Sequence, residues 1–204
     1  MHKDKWNKRY SGKELLWPQE PSEILKKETE DCPPGRALDL AAGEGRNSFF
    51  LATQGWEVTA VDFSEVAVQK GRELARKLEL PVKWEVQDLT AYRPAKGSYD
   101  CITIFYLHLP WEEFSEVLRR AAAALRPQGV LLVVGHDSTN LEAGTGGPQH
   151  PNVLYSPTDI TALLGTIENL EVERAERQRQ ALDHGEGERG AAQINCVVKA
   201  RRIE

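Results

Sequence analysis

From Arg36 onward, short runs of apolar and largely β-branched residues alternate with stretches in which apolar positions recur every three or four residues. This alternation is the pattern of βαβ units around a mostly parallel sheet. Strands are predicted at 36–42, 56–62, 81–88, 99–106 and 129–135. Cys101-Ile102-Thr103-Ile104-Phe105-Tyr106-Leu107 and Val130-Leu131-Leu132-Val133-Val134 are continuous apolar runs, as strands covered on both faces require. Ser64 is placed to cap a helix running to about Leu78. Trp111, Phe114, Leu118, Ala121 and Leu125 share one helical face before Arg126-Pro127-Gln128-Gly129 ends it. Two further strands, at 168–175 and 191–201, flank the polar loop His184-Gly185-Glu186-Gly187-Glu188-Arg189-Gly190. So short a connection predicts an antiparallel pair.

Two segments fall outside this rhythm. Residues 1–27 carry a net charge of +3, with Trp6, Tyr10 and Trp17 interleaved, and residues 136–157 form a long Gly/Pro/Asn-rich stretch after a strand. A loop that long in a small domain is more often functional than not. The length, 204 residues, fits a single domain. With 26 Lys and Arg against 31 Asp and Glu, the net charge of −5 makes nucleic acid and anionic membranes poor default partners. No apolar run approaches bilayer-spanning length, and no apolar segment follows the basic N-terminal residues, so a soluble, cytoplasmic protein is expected. Cys32, Cys101 and Cys196 are too widely spaced for a disulfide framework or a CxxC metal site. Cys101 and Cys196 read as small buried hydrophobes, and no metal is expected.

The strongest local signal is Ala37-Leu38-Asp39-Leu40-Ala41-Ala42-Gly43-Glu44-Gly45-Arg46-Asn47, a strand, a glycine turn and a helix start. Such a turn lets backbone approach a nucleotide-like ligand at the strand's carboxyl end. Asp62 follows Gly45 by 17 positions and ends the second strand, the separation at which a carboxylate accepts from ribose hydroxyls. Asp39 and Glu44 crowd the turn with negative charge, and the third glycine of GxGxxG is missing, which disfavours a pyrophosphate. The same charges suit a ligand bearing an ammonium and a sulfonium, as S-adenosylmethionine does.

Asp39-Leu40-Ala41-Ala42-Gly43-Glu44-Gly45 resembles motif I of the class I S-adenosylmethionine-dependent methyltransferases, with Ala41 where many members have glycine. The resemblance extends to Asp62, to Asp88 and Leu89 after the third strand, and to the turn Leu125-Arg126-Pro127-Gln128-Gly129-Val130. More narrowly, the 6–10 segment, Phe105-Tyr106-Leu107-His108-Leu109-Pro110 and Gly135-His136-Asp137-Ser138-Thr139-Asn140 resemble the tellurite-resistance and thiopurine methyltransferase-like branch. The resemblance implies a Rossmann-like α/β/α sandwich with a doubly wound seven-stranded sheet, mostly parallel with the last strand antiparallel. It also implies cofactor contacts along Asp39, Ala41, Gly43, Gly45, Arg46, Asn47, Asp62, Phe63, Asp88, Leu89, Phe105 and Tyr106, and S-adenosylhomocysteine as product.

Methyl transfer is an in-line displacement, so positioning supplies most of the acceleration, and a base is needed only for a protonated nucleophile. His108 is the first candidate to orient or deprotonate an acceptor, with an ordinary imidazole titrating near pH 6.5. His136 and Asp137 form a candidate polar clamp. Residues 1–30 are expected to act as a helical lid, with Tyr10 at the site, over a methyltransferase domain at 31–204. The run Arg174-Ala175-Glu176-Arg177-Gln178-Arg179 reads as a solvated strand end. The expected partner is a small-molecule methyl acceptor, a thiol, a thiopurine-like heterocycle or a chalcogen oxyanion, bound by a monomer or homodimer. The alternatives are a nucleic-acid methyltransferase, an NAD-dependent oxidoreductase and a non-catalytic S-adenosylmethionine-binding module.

Overall fold

In a computed structural model, residues 3–12, 14–16, 20–181 and 192–204 are described; His2, Trp17 and the loop from His184 to Gly190 lie outside them. The apolar runs form β1 (Arg36–Leu40), β2 (Glu57–Asp62), β3 (Val82–Val86), β4 (Tyr99–Phe105), β5 (Leu125–His136), β6 (Leu170–Ala181) and β7 (Ala192–Arg202). They make a 7-stranded sheet in the order β3-β2-β1-β4-β5-β7-β6. Strands β1 to β5 pair in parallel, and β7 runs antiparallel to both β5 and β6, as the polar loop predicted. Strand order reverses between β1 and β4, so connections leave their carboxyl ends in opposite directions and open a crevice there.

Helices cover both faces: α1 (Lys3–Tyr10), α2 (Glu23–Thr29), α3 (Arg46–Thr53), α4 (Glu65–Lys77), α5 (Trp111–Ala124), α6 (Asn140–Ala143) and α7 (Pro157–Leu164). Ser64 caps α4 as predicted, its hydroxyl accepting from the Ala67 N–H at 3.2 Å. The 136–157 stretch is not one long loop but contains α6 and a 3₁₀ turn at Pro151–Val153. Helix α7 opens on a capping box in which Ser156 and Asp159 satisfy each other's backbone, with Pro157 at its first turn. The cap is visible in the chain as Ser156-Pro157-Thr158-Asp159, although the short apolar period behind it does not announce a helix.

One sheet face packs Leu38, Ile102, Ile104, Leu131 and Val133 under Phe114 and Leu118 of α5. The other packs Ala37, Cys101, Leu132, Val134 and Val197 under Ile24 and Leu25 of α2 and Leu51 of α3. Burial pushes both the Cys101 and Cys196 thiols up, Cys196 to about 12, so neither is a thiolate near neutrality. Strand β6 runs past its expected end at 175 because its backbone stays paired with β7 as far as Ala181 opposite Ala192. Arg174 binds Glu28 of α2, and Arg177 Nε lies 2.8 Å from Asp137 Oδ1. The run is largely exposed on the strand, as expected, although Arg174 and Arg177 are ion-paired.

Candidate active site

The turn after β1 is built on left-handed backbone: φ is 62° at Ala41, 56° at Gly43 and 95° at Gly45. Ala41 tolerates this at some cost, whereas Gly45 has no alternative. A Cβ there would stand 2.4 Å from Trp84 of β3. Asp62 at the end of β2 latches the turn. Its Oδ2 accepts from the Gly43 N–H at 2.9 Å and its Oδ1 from the Ser64 N–H at 2.8 Å. Burial raises the pKa of Asp62, and those backbone donors oppose the rise. An ionised carboxylate offers about four acceptor directions. The Gly43, Ser64 and Phe63 backbone donors take up three of them, leaving about one for a ribose hydroxyl, so the turn and Asp62 fit a nucleoside-bearing cofactor.

The carboxylates around the turn do not face a ligand as their sequence positions suggest. Asp39 lies within the sheet, 1% exposed, accepting from Ser48 Oγ at 2.6 Å and Thr103 Oγ1 at 2.9 Å. Burial lifts its pKa to about 6 against those hydroxyls. Glu44 is 5% exposed and already held by Lys70 at 3.0 Å and by the Leu16 N–H at 2.7 Å. Neither carboxylate is left bare for a ligand's ammonium. Asp39 ties β1 to α3 and β4, and Glu44 ties the turn to the N-terminal segment.

That segment reaches the same end of the sheet. Asn7 of α1 accepts from Ser64 Oγ at 2.7 Å, Lys3 pairs with Glu65 at 2.6 Å, and Lys70 also donates to the Glu14 carbonyl at 2.7 Å. Tyr10, buried and stacked on Trp6, brings its hydroxyl to 3.0 Å from where a Gly43 Cβ would stand. Asn47, buried in the first turn of α3, accepts from the Ser22 N–H at 3.1 Å. The half-buried Arg46 precedes it, near enough to Asp39 and Tyr106 for its charge to bear on both.

Beyond β4 and β5 the candidate histidines meet. The His108 and His136 rings stack with centroids 5.5 Å apart at 17°, and the Tyr106 ring lies 5.1 Å from His136. Tyr106 itself adopts a left-handed φ of 53°. Burial depresses both histidines to about 4; for His108 the neighbouring His136 adds to this, and a hydrogen bond to the Val153 backbone opposes it. The expected ordinary titration near pH 6.5 is thus replaced by two neutral imidazoles. Asp137 does not join His136 as a clamp. Alternation along β5 sends it to the other face, where it accepts from Arg177, from the Thr139 N–H at 2.8 Å and from Thr139 Oγ1 at 2.6 Å.

The remaining residues divide. Asp88 is exposed, and its Oδ1 accepts from the Thr90 N–H at 2.9 Å and from Thr90 Oγ1 at 2.7 Å, with Leu89 buried beside it. Phe63 is half-buried next to the Asp62 latch. Phe105 is 6% exposed and belongs to the core against α2, so its side chain serves packing at the strand end. Tyr155 joins the site without any signal in the sequence. Its hydroxyl accepts from the Leu109 N–H at 2.9 Å and donates to the Leu109 carbonyl, and its ring stacks on Phe114 at 3.9 Å. It thereby pins the loop carrying His108 from 46 residues away in the chain. No local pattern could have revealed that link.

Residues 37–129 match the family described as "Methyltransferase domain". Rat glycine N-methyltransferase (Rattus norvegicus) is 32% identical over 154 residues, covering 66% of this chain and 52% of the relative. A probable S-adenosyl-L-methionine-dependent methyltransferase TehB from Haemophilus influenzae is 28% identical over 109 residues, covering 52% of this chain and 38% of the relative. The crystal structure of Haemophilus influenzae TehB superimposes with a TM-score of 0.75 at 20% identity, covering 98% of this chain and 66% of that one. The fold is also shared with a Burkholderia thailandensis 1,6-didemethyltoxoflavin-N1-methyltransferase holding S-adenosylhomocysteine, at a TM-score of 0.64 and 20% identity, with 89% and 76% of the two chains covered. The chain spans about half the length, or less, of the first curated relatives it matches.

Proposed function

Because this chain belongs to the class I S-adenosylmethionine-dependent methyltransferases, on the TehB-like side of that family, we propose that it methylates a small, soft, electron-rich acceptor. The acceptor classes are a thiol, a thiopurine-like heterocycle and an oxyanion of tellurium or selenium. The observation that carries this reading is the Asp62 latch. One buried carboxylate fixes the left-handed turn beside the crevice where the sheet order reverses, with capacity left for one more donor.

S-adenosylmethionine, when bound, supplies a methyl group on a sulfonium; an acceptor lone pair forms the new bond, the old bond's electrons stay on the cofactor sulfur, and S-adenosylhomocysteine is left. Asp62 holds the ribose, the turn from Ala41 to Gly45 approaches the nucleoside, and Asp88 with the Leu89 N–H receives the adenine edge. His108, His136 and Tyr106 line the acceptor side. Two neutral imidazoles are weak bases, so the acceptor arrives as an anion or with a lone pair ready, and any proton it carries leaves to solvent. That suits a thiol or thione better than an alcohol.

The described N-terminal residues ahead of α2 act as a lid over this end of the sheet, with Tyr10 against the turn and Glu44 as its anchor, whereas α2, expected to belong to the lid, is fixed in the core through Ile24 and Leu25. The protein works in the cytoplasm as a monomer or homodimer. A radiolabelled-methyl transfer assay with thiols, thiopurines, tellurite, selenite and bulk tRNA tests the reading. Methyl incorporation into a small acceptor is expected. Cofactor binding with no acceptor methylated, or with tRNA alone methylated, refutes it. Deleting residues 1–20 should weaken cofactor binding and turnover together, and unchanged values would remove the lid.

A further inference from the structure

On the sheet face that carries the histidine end of β5, cross-strand register sets His136, Asn195 of β7 and Gln178 of β6 in one row. The next row toward the strand ends holds Gln193 and Gln180. Cross-strand partners share a face, so these side chains form a continuous polar surface. Gln193 Nε2 donates to the Tyr106 hydroxyl at 3.2 Å and lies 3.0 Å from Gln180 Oε1, and Asn195 Nδ2 donates to the same oxygen at 3.1 Å. Three carboxamides and a tyrosine thus make a neutral hydrogen-bonded lattice beside the stacked His108 and His136 rings, with Gln178 next to Asn195 in register. The lattice is open at the exposed Gln180 and closed at Asn195, which is fully buried.

Among the described residues, three buried atoms of the row have no hydrogen-bond partner: His136 Nδ1, Asn195 Oδ1 and Gln178 Oε1. Buried polar groups are ordinarily paired, and a stranded carbonyl oxygen is costly. Both amide oxygens offer lone pairs only. The neutral imidazole can serve as donor or acceptor according to its tautomer. What completes this row is a group that brings hydrogen-bond donors.

We propose that the row His136–Asn195–Gln178, extended by Gln193, Gln180 and Tyr106, is the acceptor-recognition surface, and that it takes an uncharged, planar heteroaromatic acceptor presenting N–H or O–H donors. The proposal rests on the methyltransferase reading above and selects among its acceptor classes. The acceptor enters at the exposed Gln180 and half-buried Gln178, where its N–H edge reaches Gln178 Oε1 first and Asn195 Oδ1 behind it as those two glutamine side chains turn aside, with its ring against the half-buried Tyr106. An oxyanion of tellurium or selenium would set its lone pairs against those carbonyl oxygens. The two imidazoles, kept unprotonated by burial, bring no positive charge to offset that repulsion. Arg46, the cation whose charge reaches Tyr106, also acts on the Asp39 side of the crevice.

The test is calorimetric titration of the full chain saturated with S-adenosylhomocysteine. The probes are N–H-bearing heteroaromatic thiones, including a mercaptopurine, each beside its N-methylated counterpart, and tellurite and selenite. At least one thione should bind, its N-methylated counterpart at least tenfold more weakly, and the oxyanions more weakly still. Gln178→Met, at a half-buried edge position, should erase the difference within the thione pair while leaving S-adenosylhomocysteine affinity within twofold. Asn195→Leu should do the same if it folds, and Gln178→Met decides if it does not. Equal binding of both members of every pair, oxyanions binding as tightly as the thiones, or a Gln178→Met variant that keeps the discrimination would each overturn the proposal while the methyltransferase reading stands. Failure of the wild-type chain to bind S-adenosylhomocysteine at all would overturn both.

Discussion

Acidification is the most informative perturbation of this site, because three groups in or beside it are drawn out of solvent and titrate away from their ordinary values. His108 and His136 fall from 6.5 to about 4, and Asp39 rises from 3.8 to about 6, all chiefly through burial. One pKa unit corresponds to about 1.4 kcal/mol between protonation states. Between pH 6.5 and 4 the unfolded chain protonates each histidine while the folded chain resists, so stability drains as pH falls through that window, by about 3 kcal/mol per ring. Asp39 has the opposite sign. Its folded form takes up a proton below about 6 that the unfolded chain accepts only near 3.8, so acidification to pH 4 returns about 2 kcal/mol. The expected balance from pH 7 to pH 4 is a loss of about 4 kcal/mol from these groups, a large part of a typical domain stability of roughly 5–15 kcal/mol. Urea unfolding at several pH values reads this directly. His108→Gln should flatten the profile, and Asp39→Asn should steepen it by removing the compensating uptake. A wild-type stability that stays level from pH 6.5 to 4.5, or a slope indifferent to His108→Gln, would refute the burial argument. The same depressed values predict that turnover shows no histidine inflection near pH 6.5.

Gly71 stands within α4 where an added Cβ would lie 2.3 Å from Trp84, so Gly71→Ala should destabilise by about 1–3 kcal/mol despite alanine's better helix propensity. Trp84→Leu in the same chain should recover part of that loss, measured by thermal unfolding. Asp62→Ala strands the Gly43 and Ser64 N–H groups and should cost about 1–3 kcal/mol of cofactor affinity, with a lower melting temperature even without cofactor. A change in affinity alone would mean that Asp62 does not latch the turn. Tyr155→Phe releases the Leu109 backbone and should lower turnover several-fold while leaving S-adenosylhomocysteine affinity unchanged by calorimetry. Equal loss in both would mean a general structural role.

Much of the scaffold is legible in the chain because it is written in local terms. Val130 to Val134 can only be a strand covered on both faces, Ser64 can only cap the helix that begins at Glu65, and the glycines after Leu40 mark a turn. The negative charge at that turn is equally plain in the sequence, but its availability to a ligand is not. Whether Glu44 faces a ligand depends on Lys70 and Leu16, whose approach is set by the docking of α4 and the N-terminal segment. The same limit explains Asp137: adjacent in sequence to His136, it is turned by strand alternation to the opposite face and to Arg177, 40 residues later.

What the sequence determined by itself was the repeated unit, the sheet type, the cofactor turn and the histidine-bearing loops, because hydrophobic period and turn chemistry act over a few residues. What only the tertiary structure decided was which polar groups are spent and which remain. Asp39 is consumed by Ser48 and Thr103, Glu44 by Lys70, and the histidines are neutralised by burial, whereas Asn195 and Gln178 keep oxygens with no partner among the described residues. Hydrogen-bond satisfaction and desolvation are properties of the packed whole, and they belong to residues that the chain brings together from far apart.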